Sequence, residues 1–336
     1  MIRFAWLQFR MQAAVAAGAL AIVAVVLALT GPNLVHLYDT TVASCAVHHD
    51  CPTATTDFTD TDGPLQVFLD FLLLTVPLLI GMFWGAPLIS REFETGTFRL
   101  AWTQGVTRTR WLAVKLGLGA VASAAIAGLL SLMVSWWSSQ LDYVSANPFD
   151  SLRFGIRDVV PIGYAAFAFA LGLSAGLRFR RMLPAMLVAL VGFVAAREAV
   201  TAWVRPHLFT PLQQSLPITT ATPVSIDQTS PGVIKAFENT RGISLPGAWV
   251  YSVQIVDQAG HTPTTSFLSG ACHLGNYGPL NPRDCTARLA ATFHQLVTYQ
   301  PGGRYWPMQW YELAIFLSGS IVLAGFCFWW IRRPVI

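Results

Sequence analysis

Six long apolar stretches constrain the fold of this chain more than any other feature of its sequence. A helix needs about 20 apolar residues to cross a bilayer, and six segments of that kind are separated by more polar loops. They are Ala13–Thr30, Leu65–Ile89, Trp111–Trp137, Val159–Leu177, Leu183–Val204 and Trp310–Ile331. The runs are continuous rather than alternating, which favours helices over the strands of a closed barrel. We therefore predict an all-α polytopic membrane protein with six transmembrane helices.

The composition supports a lipid-covered surface. Charged residues make up 11% of the chain and hydrophobic residues 54%, whereas a soluble protein has about a quarter of its residues charged. So few charges do not build a water-exposed surface. The net charge of +4 is small, so nucleic acid is not an expected partner.

Arginine and lysine placement predicts the orientation in the membrane. The loop 31–63 has no arginine or lysine but five aspartates, and the next loop on that side has only Arg153 and Arg157. Twelve of the 21 basic residues fall in short segments on the opposite side: Arg3, Arg10, Arg91, Arg99, Arg108, Arg110, Lys115, Arg178, Arg180, Arg181, Arg332 and Arg333. We predict that both termini are cytoplasmic in a bacterial plasma membrane. The first span is expected to be a retained anchor rather than a cleaved signal peptide, and Asp70 is expected to be interfacial.

The chain divides into three parts on this topology. The segment after the fifth span is too long for a bare linker and is expected to form a small mixed α/β extracellular lobe. The predicted parts are 1–204 as the membrane domain with its cytoplasmic loop 90–110, 205–307 as the lobe, and 308–336 as the sixth span and cytoplasmic tail.

Local patterns predict some of the lobe's elements. Trp249–Val256 is strand-like, and Cys285–Val297 contains a helical stretch. Thr210–Pro231 is rich in Pro, Thr and Ser and is expected to be irregular.

Four cysteines fall outside the membrane on the outer side. An even number of cysteines in an oxidising compartment predicts two local disulfides, Cys45–Cys51 and Cys272–Cys285. The alternative is metal binding, because Cys45, His48, His49 and Cys51 place two thiols and two imidazoles within seven residues. The disulfide interpretation predicts no metal on the chain.

The loop 90–110 carries the most information about function. Gly96 is suited to end one helical piece, and Thr97 and Thr107 are suited to cap the following ones. Phe98, Ala101 and Trp102 recur at helical spacing and would present an apolar face. A short helix of this kind suits docking into a groove on another protein.

This loop resembles the type 2 family of ABC transporter permeases. Arg91-Glu92, Glu94, Gly96-Thr97 and Thr107-Arg108 fill the positions of that family's pattern between its second and third spans. The end of the lobe, Tyr299–Glu312, is similar to a subgroup of actinobacterial permeases. We call residues 90–110 the coupling segment. The resemblance implies that its ATPase-coupling residues are Arg91, Glu92, Glu94, Gly96, Thr97, Arg99, Trp102 and Thr103.

The resemblance also implies a function and partners. The chain would be the permease subunit of an ABC exporter that moves an amphiphilic drug, lipid or peptide-like substrate, paired with a second permease, expected to be an identical copy, and with two ABC ATPase subunits. No Gly-x-x-x-x-Gly-Lys-Ser/Thr phosphate loop occurs in the sequence. ATP and Mg are therefore expected on the ATPase, and no cofactor or catalytic residue is expected on this chain, which we predict is not itself an enzyme.

Two further features lie within the spans. Arg197-Glu198 is a candidate intramembrane polar site, because charges in a membrane usually face partners or water; the alternative is a helix break near the outer surface. The patterns Gly81–Gly85 and Gly172–Gly176 allow close helix approach and are expected to serve packing inside one subunit.

Two other functions compete with the permease. One is a metal-handling membrane protein or enzyme that uses the Cys45–Cys51 cluster. The other is a sensor subunit that binds a ligand through the lobe without transporting it.

Overall fold

The computed structural model describes residues 2–42, 51–96, 107–145, 149–218, 224–230, 233–238, 245, 247–264, 267 and 282–333. Thr97, Arg99, Trp102 and Thr103 lie outside these residues, and so do the side chains of Cys45, Cys51, Cys272 and Cys285. The two disulfides and the metal cluster therefore stay predictions.

Six helices in the described part are long and apolar enough to cross a membrane, which confirms the number predicted from the apolar runs. We number them spans 1 to 6. Their α-helical bounds are Ile2–Leu37, Cys51–Leu79 with Ala86–Thr95, Arg108–Ser145, Val160–Phe179, Met182–Ala199 and Tyr305–Arg332. Three π-helical segments extend or join them: Tyr38–Val42, Ile80–Gly85 and Val200–Val204.

The helices run beyond the apolar stretches that predicted them. Span 1 continues as helix to Leu37 and then through the π-helical turn to Val42, and span 2 begins at Cys51. Most of the predicted outer loop 31–63 is therefore helical. The hydroxyls of Thr40 and Thr41 donate to carbonyls one turn back, so polar residues continue the helix once it has left the apolar region. The apolar runs therefore predict that these helices exist but do not mark where they end.

Span 4 lies at the centre of the membrane unit. In its apolar stretch 83% of the residues are buried, against 39% or less in every other span. It packs against spans 2, 3 and 5, and Gly163 meets Leu313 and Phe316 of span 6. It needs no amphipathic pattern, since protein surrounds it on most sides.

Glycines bring span 2 directly against span 4. A Cβ added to Gly85 would lie 2.5 Å from the Phe169 carbonyl oxygen, and one added to Gly176 would lie 2.6 Å from the Ala86 carbonyl oxygen. A Cβ on Gly172 would likewise overlap the carbonyl of Gly81. The two small-residue patterns in the sequence therefore face each other, which confirms the prediction that they serve packing inside one subunit.

Span 1 is the most exposed of the six. Only 6% of the residues in its apolar stretch are buried. It packs on spans 2 and 3 through Leu27 and Leu34, and the indole of Trp137 donates a hydrogen bond of 2.9 Å to the Thr30 hydroxyl. The rest of its apolar surface, including Val15, Ile22 and Leu29, is exposed and needs lipid or protein against it.

Residues 146–149 and 209–305 form a second compact unit. Strands β1 (Leu212–Pro217), β4 (Trp249–Val256) and β5 (His294–Gln300) make an antiparallel sheet in the order β1-β5-β4. Strands β2 (Val224–Ser230) and β3 (Val233–Glu238) form a separate antiparallel pair, and a helix spans Pro282–Thr292. Phe149 is buried and stacks on Trp249, with ring centroids 5.9 Å apart.

The lobe elements predicted from the sequence were partly right. Trp249–Val256 is a strand, as predicted. The helix predicted over Cys285–Val297 ends at Thr292, because His294–Gln300 pairs as the central strand of the sheet. The prediction of irregular structure over Thr210–Pro231 was wrong for β1 and β2. The side of the membrane on which this unit lies stays a prediction, as do the domain bounds.

We expect Gly85→Ala to weaken the membrane unit by about 1–3 kcal/mol, because an overpacked contact forces backbone to move. Gly117→Ala is the matched control, since nothing lies within 4 Å of a Cβ at Gly117. The measurement is the thermal midpoint of each variant purified in the same detergent. Equal midpoints for the two variants would contradict the close contact between spans 2 and 4.

Candidate functional site

The coupling segment starts on a short helix that extends span 2. This helix, Ala86–Thr95, carries Arg91, Glu92 and Glu94 and ends at Gly96 with φ 71°. Glycine adopts this left-handed conformation without the steric cost that a Cβ brings. On the other side of the undescribed residues 97–106, the Thr107 hydroxyl accepts from the backbone N–H of Arg110 at 3.4 Å, where span 3 begins. The sequence predicted both the helix end and the cap correctly.

Glu92 forms an ion pair with Lys115 of span 3. The side chain of Lys115 is only 4% exposed and that of Glu92 15%. The ammonium also donates to the Leu88 carbonyl at 3.4 Å and lies 4.8 Å from the ring centroid of Trp111. The carboxylate thus faces the interior of the chain, at the place where spans 2 and 3 meet.

Glu94 contacts the turn between spans 4 and 5. Its Oε1 accepts a hydrogen bond of 2.8 Å from the backbone N–H of Met182, the first residue of the span 5 helix. Beside it, the guanidinium of Arg180 lies 5.7 Å from the ring centroid of Phe93. Arg180 itself ends span 4 in a left-handed conformation with φ 56°. Arg91, by contrast, is exposed.

A buried ion pair joins spans 5 and 6. Arg205 follows the π-helical end of span 5, and its Nε and Nη2 donate to the two carboxylate oxygens of Glu312 at 2.9 Å each. The side chains are 1% and 0% exposed. The hydroxyl of Tyr164 on span 4 also donates to Glu312, and Phe154 lies 4.5 Å from the Arg205 guanidinium. Three spans therefore converge on one carboxylate.

A second buried network joins spans 2 and 3 to the loop between spans 3 and 4. The loop contains the helix Ser151–Ile156, whose N-cap Asp150 accepts from two backbone N–H groups. Just after this helix, Arg157 donates to Asp70 at 2.6 Å and to Ser138 at 2.7 Å. Ser138 in turn donates to Asp142 at 2.7 Å. Asp70 is 6% exposed and paired with Arg157, and its position at the membrane interface stays a prediction.

Arg197 and Glu198 lie near the end of the span 5 helix. Arg197 is half-buried, with its guanidinium 5.8 Å from the ring centroid of Tyr164, and Glu198 is exposed. Among the described residues, the buried charged side chains are those of Asp70, Lys115, Arg157, Arg205 and Glu312. Whether Arg197 and Glu198 line a transport path stays a prediction.

An apolar groove lies between spans 1, 2 and 3. It has a volume of about 420 Å³, within the range of about 300–1,000 Å³ that is typical of small-molecule sites. Val15, Ala19, Val76, Phe83 and Ile126 contribute to its walls, and its described lining is apolar except for Gln12 and the indole N–H of Trp84. Such walls suit an alkyl or aromatic group and offer little to a charged one.

The described residues contain no group of three or more His, Cys, Asp or Glu side chains placed to hold a metal ion. The Cys45–Cys51 cluster lies outside that part of the chain.

Comparison with known protein families shows which family the chain belongs to. A family model described as ABC-2 membrane transporter related matches residues 17–205, which is more than half of the chain. The chain belongs to the ABC-2 membrane transporter related family. No curated protein and no solved structure matches it.

The match supports the resemblance drawn from the coupling segment. It covers span 1 from residue 17 onward and all of spans 2 to 5 of this ABC-2 related chain, including the coupling segment, and supports an ABC-2 type permease. Members of such a family are generally non-enzymatic membrane components of an ABC transporter. The actinobacterial subgroup read from Tyr299–Glu312 stays a prediction, since the match ends before it.

Sequence reasoning missed the partners of the buried charges in this ABC-2 related chain. Glu312 was noted only as the last residue of a motif, and Arg205 only as the first residue of the lobe. One signal that could have found them is the sign of the charge. Asp70 and Glu312 are acidic residues near the ends of spans, and each is paired with an arginine from a different segment of the chain. The arginines at 153 and 157, which weakened the charge asymmetry, lie within 4.0 Å of Asp70 or Asp142.

We expect Arg205→Met to destabilise the membrane unit by about 3–5 kcal/mol, because it leaves the Glu312 carboxylate buried without its cation. Adding Glu312→Gln should recover part of the loss, since the amide is neutral and still accepts from Tyr164. The thermal midpoint in detergent reports both effects, and Arg10→Met, at an exposed site, is the matched control. A double variant as unstable as the sum of the single ones would contradict the ion pair.

Proposed function

We propose that this chain is the permease subunit of an ABC exporter that moves an amphiphilic substrate across the bacterial plasma membrane. A separate ATPase subunit binds ATP and Mg and supplies the energy. The observation that carries the proposal is the family match together with the coupling segment, whose base is fixed to spans 3 and 5 by two carboxylates. A drug, a lipid and a peptide-like molecule are the substrate classes that fit.

The ATPase docks on residues 97–106, with Thr97, Arg99, Trp102 and Thr103 as the contact residues. The helix Ala86–Thr95 and the start of span 3 at Arg108 frame these residues on both sides. Arg91, which the resemblance also places among the ATPase-coupling residues, is exposed on that helix. Each permease takes one ATPase, so a pair of permeases works with two.

The second permease is an identical copy. Span 1 supports this pairing, because it leaves nearly all of its apolar stretch uncovered and a partner can pack there. Exposed Leu29 and Ile22 are part of that surface.

Both termini face the cytoplasm in this proposal. Arg153 and Arg157, which stood against the charge asymmetry, lie beside Asp70 and Asp142. Their charges are therefore compensated locally, and the remaining asymmetry follows the positive-inside rule.

The substrate's apolar part occupies the groove between spans 1, 2 and 3. The groove is lined by the first half of span 1, from Met11 to Val23, and by span 2 from Leu72 to Trp84. Because these stretches adjoin the predicted cytoplasmic ends of the two spans, the groove is placed to take a molecule from the inner leaflet.

We expect Trp102→Ala and Arg99→Glu to release the ATPase while leaving the permease folded. A buried tryptophan at an interface contributes about 2 kcal/mol or more, roughly a 30-fold change in affinity. The measurement is co-purification of the ATPase with tagged permease, with monodispersity in detergent as the check on folding. Asp39→Asn, at an exposed carboxylate at the other end of span 1, is the control. Unchanged ATPase binding in both variants would contradict docking on this segment.

We expect Ala19→Trp to block the groove and reduce ATP-dependent movement of a fluorescent phospholipid analogue in inverted vesicles, with ATPase binding unchanged. Ile321→Trp, on span 6, outside the groove and 71% exposed in the wild type, is the control. Equal transport in the two variants would contradict the groove as the substrate site. A complex that binds its ATPase but moves no lipid, dye or peptide probe would favour the sensor function over export.

A further inference from the structure

Two carboxylates of the coupling segment reach opposite sides of one short helix. Successive residues of a helix are about 100° apart, so Glu92 and Glu94 point in roughly opposite directions. Glu92 meets Lys115 of span 3 and Glu94 meets Met182 at the start of span 5. The helix Ala86–Thr95 is thereby attached on two faces.

The ion pair between Glu92 and Lys115 opposes separation of the helix Ala86–Thr95 from span 3. If the helix moved away from span 3, Lys115 and Glu92 would each keep a charge in a place with little water, and an unpaired buried charge is strongly unfavourable. Lys115 is also held by the Leu88 carbonyl and by the face of Trp111. Span 3 and the short helix therefore move together more easily than they move apart.

The contact with span 5 supplies a cap that the local sequence lacks. The first N–H groups of a helix have no partner inside it, and the N-cap residue Arg181 forms no side-chain hydrogen bond to them. Glu94 takes this role from 88 residues away in sequence. A carboxylate at this position also interacts favourably with the positive end of the helix dipole.

A third face of the same helix lies on span 4. A Cβ added to Gly176 would lie only 2.6 Å from the carbonyl oxygen of Ala86. No side chain therefore separates the two backbones. The helix Ala86–Thr95 thus contacts spans 3, 4 and 5 at once.

We propose that Glu92 and Glu94 are positioning residues that transmit ATPase movement to spans 3 and 5, rather than residues that contact the ATPase. This inference rests on the proposed function and changes the role that the resemblance implied for these two glutamates. A displacement of residues 97–106 reaches span 3 through the chain and through Lys115, and reaches span 5 through Met182.

The test uses the full permease with its ATPase in liposomes. Spin labels at positions 121 and 187, on exposed residues of spans 3 and 5, report the distance between those spans before and after the ATPase is trapped with ATP. Permease-dependent stimulation of ATP hydrolysis is the second readout. A coupling energy typical of linked sites predicts a loss of stimulation of roughly 5-fold or more in a decoupled variant.

We expect Glu92→Gln and Glu94→Ala to bind the ATPase as the wild type does but to lose the distance shift and the stimulation. Glu94→Gln should keep both, because the amide oxygen still accepts from Met182. The exchange of Glu92→Lys with Lys115→Glu should restore both, because it rebuilds the ion pair. Asp39→Asn is the control for loss of an exposed carboxylate.

The outcomes separate this inference from the proposed function. A wild type that binds no ATPase, or shows no ATP-dependent distance shift, would overturn the proposed function and this inference with it. A normal wild type with normal stimulation and shift in Glu92→Gln and Glu94→Ala would overturn this inference alone. Loss of ATPase binding in Glu94→Gln would also overturn it, because it would show that Glu94 contacts the ATPase. No recovery in the exchange variant would overturn the role of the ion pair between Glu92 and Lys115.

Discussion

The close backbone contact between spans 2 and 4 is the interaction on which the rest of the membrane unit depends. Glycines at 81, 85, 172 and 176 let the two helices meet without side chains between them. Where lipid surrounds the helices, such packing stands in for the hydrophobic drive that assembles a soluble core. The contact places span 4 at the centre and fixes the direction of the helix Ala86–Thr95, from which Glu92 and Glu94 extend.

Ion pairs between charged side chains also join the spans near both of their ends. Near one end, Asp70 pairs with Arg157, and Glu312 pairs with Arg205. Near the other, Glu92 pairs with Lys115. Each pair joins segments that are distant in sequence, and each avoids an unpaired charge in apolar surroundings. The permease therefore has a tightly packed middle and polar contacts that fix how its span ends are arranged, which suits a protein whose spans are moved from one end.

Much of this architecture could be predicted from the sequence because it depends on local patterns. Apolar runs of bilayer length predicted six spans, Gly96 and Thr107 marked a helix end and a helix start, and the strand-like run Trp249–Val256 is a strand. The partners of charged residues could not be predicted in this way, because they depend on contacts between distant segments. The sequence around Glu92 does not indicate that Lys115 lies beside it, and Arg205 and Glu312 are 107 residues apart. For the same reason the strand His294–Gln300 was partly taken for helix, because its identity depends on the neighbours β1 and β4.

The proposed function requires that a separate ATPase drives this ABC-2 related permease through residues 97–106. The most direct measurement places a photoreactive amino acid at position 102 and illuminates intact cells that express both subunits. We expect one crosslinked product with the mass of permease plus ATPase, and none from the same probe at position 39. A probe at position 102 that reacts only with reagents outside the cell, or that never captures the ATPase, would contradict it.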